Sequence, residues 1–376
     1  MKLDNHIHYA YPGNVDDLCE ILDKTQTDKA TLVALYDKER GSETIDCLHA
    51  KYVINRRFKD KIYVFGSNSL VPYHKFKRDK NYDLGKAMVE HVKDLRACGC
   101  DGIKMLEGKP SNRKRYPIPN FDIEEMDSYW AYLEKEKINV VWHVNDPEEF
   151  WDEAKVPLWA KNSGWFYGDG TYVNNEDQYD QIKHVLERHP LLHITFAHAF
   201  FMSNQLDRLS RWFEAYPNIN IDLTPGIEMY TNWSDHIDRA KAFFKTYQDR
   251  ILYGTDIELY QPLVQDPHIL KDAFDRAELV PSFLKNRVTY LKGDSENLLS
   301  KVDLTIASLE LDDIIVDKIM GGNALRINGK VKEVNVKALK EEIIKEKEAI
   351  NYLAEYYNLT PYYKNIDYFE DYFNNI

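Results

Sequence analysis

The 376-residue sequence predicts an α/β protein built as a (β/α)8 TIM barrel, with a helical insertion after the eighth strand and a C-terminal helical tail. Three observations carry that expectation. Eight short apolar runs recur before residue 254. Segments with helical spacing separate most of them. Each run is also nearly continuous in apolar character, which is how strands buried on both faces of a parallel sheet read. The competing arrangement is an open doubly wound sheet. It is disfavoured because no GxGxxG turn follows an early strand, and because eight repeats are what closure requires.

The runs are Lys2–His8, Ala30–Tyr36, Lys61–Gly66, Gly102–Leu106, Ile138–Val144, His193–His198, Ile219–Leu223 and Ile251–Tyr253. Among the helical segments, Asn14–Lys24 opens on an Asn cap followed by Asp16 and Asp17. Tyr82–Ala97 puts Leu84, Ala87, Met88, Val92 and Leu95 on one stripe. Ile123–Lys135, Gln178–Arg188, Gln205–Tyr216 and Trp233–Tyr247 follow, the second and third of these stopped by His-Pro and Tyr-Pro-Asn. The connection from residue 145 to about 175 is long and rich in Trp, Gly and Tyr, the profile of a lid or binding loop. Residues from about 257 to 311 insert helical pieces before Asp312–Arg326 closes the ring. The expected division is a barrel over 1–328 and an extension over 329–376. That extension holds a helix at Val336–Tyr357 and a tail with Tyr362, Tyr363, Tyr368 and Tyr372, packed on the barrel or on a second subunit.

Composition narrows the partners. With 44% apolar and 30% charged residues the chain has no disordered or low-complexity bias. A formal charge of −13 argues against a nucleic-acid backbone and against anionic lipid, and says little about a small-molecule substrate, the expected partner, because a pocket can differ in sign from the whole surface. No run approaches the roughly 18 apolar residues that span a bilayer, and no charged-then-apolar leader pattern opens the sequence, so the expected location is cytoplasmic. Cys19, Cys47, Cys98 and Cys100 match neither a zinc ribbon nor a CxxC motif and read as small buried residues. A homodimer is the expected assembly.

The chemistry lies at the strand ends. His6 and His8 stand at i and i+2 of the first strand, on one face of a rigid element. The fourth strand offers Lys104, the fifth His143, the sixth His198 and the eighth Asp256. All but Lys104 are ligands for a borderline metal such as Zn2+. A lone strand histidine is more often a satisfied core residue. Four of them with an aspartate, at the barrel end where active groups collect, point to a metal site. Asp4 reads as structural, and Asp222 either lines the site or ends its strand. Trp142, Trp159, Trp165, Tyr167 and Tyr172 either wall a pocket for a planar substrate or pack the barrel. Arg40, His74 and Arg113 lie on loops from which a substrate anion is in reach. His49, His91, His184, His189, His193, His236 and His268 fall in helices, helix ends or strand starts and carry no metal signal.

The series Asp4-x-His6-x-His8, Gly102-Ile-Lys104, His143, Ala197-His198, Gly254-Thr-Asp256 and Met320-Gly-Gly-Asn323-Ala-Leu-Arg326 resembles the amidohydrolase superfamily, in particular its amidohydrolase-2 family, over about residues 1–328. The resemblance implies that His6, His8 and His143 bind one divalent ion, Zn2+ first and Mn2+ or another as alternatives. Asp256 would then be a further ligand and the proton acceptor for an activated water, with His198 beside it polarising the substrate oxygen or protonating the leaving group. In some branches of the superfamily the lysine is carboxylated and bridges two metals. The single-metal reading instead leaves Lys104 as a cation for a substrate carboxylate or an oxyanion. The implied activity is a metal-dependent hydrolase acting on an amide, lactone or ester. The alternative is a lyase, a non-oxidative decarboxylase or hydratase using the same ligands. An Arg and Lys clamp facing the metal favours the lyase, and a neutral, roomy pocket favours hydrolysis. A non-catalytic barrel would have lost a ligand, and none is missing.

Overall fold

Parallel strands β1 (Leu3–Tyr9), β2 (Lys29–Val33), β3 (Ile62–Ser67), β4 (Gly102–Gly108), β5 (Asn139–Val144), β6 (Ile194–Phe196), β7 (Ile219–Asp222) and β8 (Ile251–Leu252) lie side by side in chain order. This computed structural model describes residues 1–11, 15–266, 268–286, 288–291 and 304–376. All eight predicted strands are present, and the fold is the predicted TIM barrel. Runs such as Ile62–Phe65 and Val140–Val144 are buried throughout, because helices cover one face of the sheet and the barrel interior the other.

Closure departs from the expectation in one respect. The sequence reading ends the eighth strand at Tyr253 and assigns Ile257 onward to an insertion. The structure places a short strand there, β9 (Ile257–Leu259), paired in parallel with β1 at Ile7↔Ile257. The eighth run is thus a bent strand whose first half pairs with β7 and whose second half pairs with β1. Across the bend the Asn5 amide donates to the Tyr253 carbonyl (3.0 Å) and the Asp256 amide to the His6 carbonyl (2.9 Å). The polar turn Gly254-Thr255-Asp256 makes the bend, with Asp256 at φ 58°. Asp4 fastens it by accepting from the Thr255 amide and hydroxyl at 3.1 and 2.6 Å.

The helix Leu84–Cys98 shows how the outer layer forms. Asp83 caps it by accepting from the Lys86 amide, Leu84, Met88, Val92 and Leu95 face inward, and Gly99 ends it at φ 108°. The helix expected over Trp233–Tyr247 is two helices, Ile227–Asp235 and Ile237–Thr246, broken at His236, where the backbone leaves helical geometry at φ −132°. The helix Thr44–Arg57 was not anticipated. The expected Asn14 cap lies outside the described residues. The ring is completed by Asp313–Asp317, one π turn at Lys318–Gly322 and Asn323–Asn328. A Cβ at Gly321 would stand 2.7 Å from the Met1 carbonyl oxygen, so this glycine lets the last turn approach the start of β1.

The C-terminal helices lie on the outside of their own barrel. Val336–Tyr357 runs against Leu84–Cys98, with Glu346 Oε1 accepting from the Ser42 amide at 2.8 Å. Lys364–Asn374 covers Thr44–Arg57, where Tyr368, Phe369, Tyr372 and Phe373 surround the His49 ring. Among the described residues no helix is long and apolar enough to cross a membrane.

Candidate active site

At the C-terminal end of β1 the two imidazoles are aimed by their outer nitrogens. His6 Nδ1 meets Asp222 Oδ2 at 2.9 Å, both fully buried. His8 Nδ1 donates to the Val33 carbonyl at 3.0 Å. Because each Nδ1 carries the proton, each Nε2 is left with a lone pair facing into the barrel mouth. Asp256 Oδ1 faces the same point, 3.5 Å from His6 Nε2 and 3.3 Å from His8 Nε2. The ligand atoms of His6, His8 and Asp256 all lie within 4.8 Å of one another. Three electron-pair donors turned on one point, none able to donate to the others, fit a shared cation. Burial, followed by the Lys104 charge, pushes His6 down to about 4 and so keeps it in the neutral form a metal requires.

The other predicted residues gather around this point, not all of them within it. Lys104, on β4, donates from Nζ to His6 Nε2 at 2.8 Å, and burial lowers its ammonium to about 8. His198 donates from Nδ1 to the Thr224 carbonyl at 3.2 Å, and its ring centroid lies 6.0 Å from that of His6. It begins a left-handed turn in which His198, Ala199, Phe200 and Phe201 have φ of 53°, 51°, 59° and 50°. Four such residues in succession are costly, and backbone strain of this kind collects at functional sites. His143 faces the same cavity with its ring 5.0 Å from that of His198, but stands outside the His6–His8–Asp256 cluster. Its Nε2 donates to Asp146 Oδ1 at 3.1 Å, leaving Nδ1 with the lone pair. Burial, then the Lys109 charge, lowers His143 to about 3.

Two residues that hold the site in position were missed or undervalued in the sequence. Asp222 is the buried partner of His6, and it also accepts the His198 amide at 2.9 Å. Asp146 anchors His143, takes Lys109 Nζ at 3.0 Å and accepts from the Tyr167 hydroxyl at 2.6 Å. The signal for Asp146 was its position three residues beyond the histidine in His143-Val-Asn-Asp146. Nothing local in Asn220-Ile-Asp222 marks Asp222, whose partner is 216 residues away.

A cavity of about 230 Å³ opens over these groups, with Phe150, Trp159 and Trp165 of the long loop in its wall. Trp142 is not part of that wall. Strand alternation turns it away from His143 and into the outer layer, stacked on Trp130 at 5.1 Å. Tyr167 does not line the cavity but holds Asp146, and Tyr172 packs on Tyr167 at 4.7 Å. Arg40, His74 and Arg113 do not line it either, and the last two lie in the helices Val71–Arg78 and Pro110–Arg115 and not on loops. Arg40 is exposed, His74 is bonded to the Leu70 carbonyl and the Tyr357 hydroxyl, and Arg113 lies over Phe121 while donating to Gln181.

The amidohydrolase family model matches residues 83–329. An uncharacterised TIM-barrel protein from Bordetella bronchiseptica superposes with a TM-score of 0.50 at 14% identity, covering 87% of this chain and 97% of that one. A Staphylococcus aureus protein described as an amidohydrolase gives 0.51 at 15% identity, covering 87% and 99%. The 2,6-dihydroxybenzoate decarboxylase from Rhizobium gives 0.47 at 13% identity, covering 87% and 98%. At these identities the likenesses show the fold alone. No curated protein matches the chain in sequence.

Proposed function

The chain belongs to the amidohydrolase family, and from that footing we propose that it is a metal-dependent hydrolase, cleaving an amide, lactone or ester bond of a small molecule with water and one divalent ion. The observation that carries this reading is the convergence of His6, His8 and Asp256 beneath a cavity that, among the described residues, no arginine lines. Zn2+ suits this donor set, with Mn2+ or another divalent ion as alternatives, and His143 Nδ1 offers a further nitrogen. When bound, such an ion polarises a carbonyl and lowers the pKa of a water from about 16 towards 7.

The remaining chemistry belongs to the chain. Asp256, ionised at neutral pH, receives the proton of the attacking water. Lys104 presents a buried cation where negative charge develops on the carbonyl oxygen. Burial keeps His198 neutral, and its Nδ1 proton is committed to Thr224, so Nε2 presents a lone pair. Nε2 therefore takes up the proton that Asp256 received and passes it to the departing nitrogen or oxygen. Water oxygen becomes bonded to the carbonyl carbon, the carbon–nitrogen or carbon–oxygen bond breaks, and the leaving group departs protonated. Loop aromatics exclude bulk water and suit a planar or apolar substrate.

The lyase alternative calls for an anion clamp. Of the two lysines in the cavity wall, Lys109 is neutralised by Asp146, which leaves Lys104 as a lone cation and weighs against a two-cation clamp on a carboxylate substrate. The test is a panel of N-acyl compounds, lactones and aromatic carboxylic acids presented to Zn2+- or Mn2+-loaded protein, with products read by mass spectrometry. Deacylated or ring-opened products support hydrolysis. Carbon dioxide release from the acids, with every carbonyl substrate intact, replaces the hydrolase by a decarboxylase. A protein that retains no metal and gains no activity with any added ion removes both.

A further inference from the structure

Glu228, in the first turn of the helix Ile227–Asp235 after β7, lines the same cavity. Its Oε1 is buried and has no hydrogen-bond partner among the described residues. A buried acceptor left unsatisfied is costly, and a charged one more so. Its seat is shaped for it, since a Cβ at Gly226 would come within 2.4 Å of Oε1. Burial raises Glu228 to about 7, its own backbone amide opposes that, and the charges of Glu149 and Asp146 add to it, both of them acids.

The wall of the cavity is aromatic. Phe150, Trp159 and Trp165 form one cluster, with centroids 5.9 Å apart for Phe150–Trp159 and for Trp159–Trp165. That wall already accepts positive charge, because Lys109 Nζ lies 4.8 Å from the Trp165 ring centre. An unsatisfied carboxylate oxygen and an electron-rich aromatic wall share one ligand preference, a cation that can also donate hydrogen bonds.

We propose that the substrate carries a cationic nitrogen group, an amine, amidine or guanidine, held by Glu228 against the Phe150, Trp159 and Trp165 wall and remote from the bond that is cut. This rests on the hydrolase reading for which bond is cut, and it adds the group by which the substrate is selected. Glu228 is in this account a specificity residue.

Binding separates the proposal from the reaction. Benzamidine, a planar cation, and acetophenone, a neutral compound of similar shape, contain no amide, lactone or ester bond, so neither offers the bond on which the proposed reaction acts. Both are titrated by calorimetry into the full-length Zn2+-loaded protein. Benzamidine is expected to bind at least tenfold more tightly than acetophenone, and Glu228→Gln to remove most of that difference while leaving acetophenone binding and zinc content within twofold of the parent. If Glu228→Gln does not fold by circular dichroism, Glu228→Asp withdraws the carboxylate in its place and the same loss is expected. Equal binding of the two compounds, no measurable benzamidine binding, or an undiminished preference in a folded Glu228 variant overturns the proposal. A clear benzamidine preference in a protein that hydrolyses nothing refutes the reaction assignment and leaves the cation seat standing.

Discussion

Replacing Asp222 by Asn tests how the metal-facing nitrogens are aimed. The Asp222–His6 contact is 2.9 Å between two fully buried side chains. Burial raises the Asp222 carboxyl, but His6 and then His198 overcome it and hold the group down at about 2, so it is an ionised acceptor at neutral pH. That acceptor keeps the His6 proton on Nδ1 and the lone pair on Nε2. An asparagine amide in its place donates towards Nδ1 and moves the proton to Nε2, the nitrogen that faces Asp256. Outer partners of this kind are worth a factor of about 10 to 100 in metal affinity, or about 1.4 to 2.7 kcal/mol. The expected result for Asp222→Asn is a Zn2+ dissociation constant raised by that factor, measured by competition with a chromophoric chelator, with circular dichroism showing an intact fold. A folded variant that binds Zn2+ within twofold of the parent would refute the reasoning, because neither the tautomer control nor His6 as a ligand would survive it.

Four further outcomes follow from the same geometry. His198→Ala should leave metal content unchanged and lower turnover by about a hundredfold or more; equal loss of metal measured by elemental analysis would show that His198 is a ligand. His143→Ala should instead lower metal occupancy, and full occupancy with normal activity would remove it from the site. His49, with neither ring nitrogen hydrogen-bonded among the described residues and its centroid 4.5 Å from that of Tyr372, is lowered by burial to about 4 against an ordinary 6.5. The unfolded chain therefore binds the extra proton as pH falls from 6.5 to 4, and stability is lost across that window by up to about 3 kcal/mol. Urea denaturation at pH 7 and pH 4 should show a smaller acid loss in His49→Leu than in the parent, and equal losses would contradict it. In the left-handed turn, Ala199→Gly should change stability by less than about 1 kcal/mol, strain relief offsetting the added freedom of the unfolded chain, whereas Ala199→Val should cost more than about 2 kcal/mol; the reverse order would refute the strain argument.

The strands were legible because both of their faces are buried, so Ile62–Phe65 or Val140–Val144 reads as unbroken apolar sequence whatever its neighbours. Thr44–Arg57 was not legible for the opposite reason. It is covered by the tail as well as the sheet, and it buries Lys51, paired with Asp101 at 2.6 Å, together with His49, so no single apolar stripe is left to read. At the site, His6-x-His8 could be read from spacing, and His198 and Asp256 from their places at strand ends. Their orientation could not, because it depends on contacts such as Asp222 with His6 that only the closed barrel creates. For Trp142 the sequence leaves pocket wall and barrel packing open, and strand alternation decides for packing: its neighbour His143 faces the cavity, so Trp142 faces away.

The bent eighth strand has a consequence for biosynthesis. His6 and His8 are made well before their partner, since Asp256 follows His6 by 250 residues. At 5–20 residues per second that is a delay of roughly 12 to 50 s. Through that interval the two histidines have neither the carboxylate opposite them nor Asp222 behind them to fix their tautomer. A divalent ion held by these three residues would therefore be captured only once the seam between the first strand and the last has formed, which would tie metal loading to closure of the barrel.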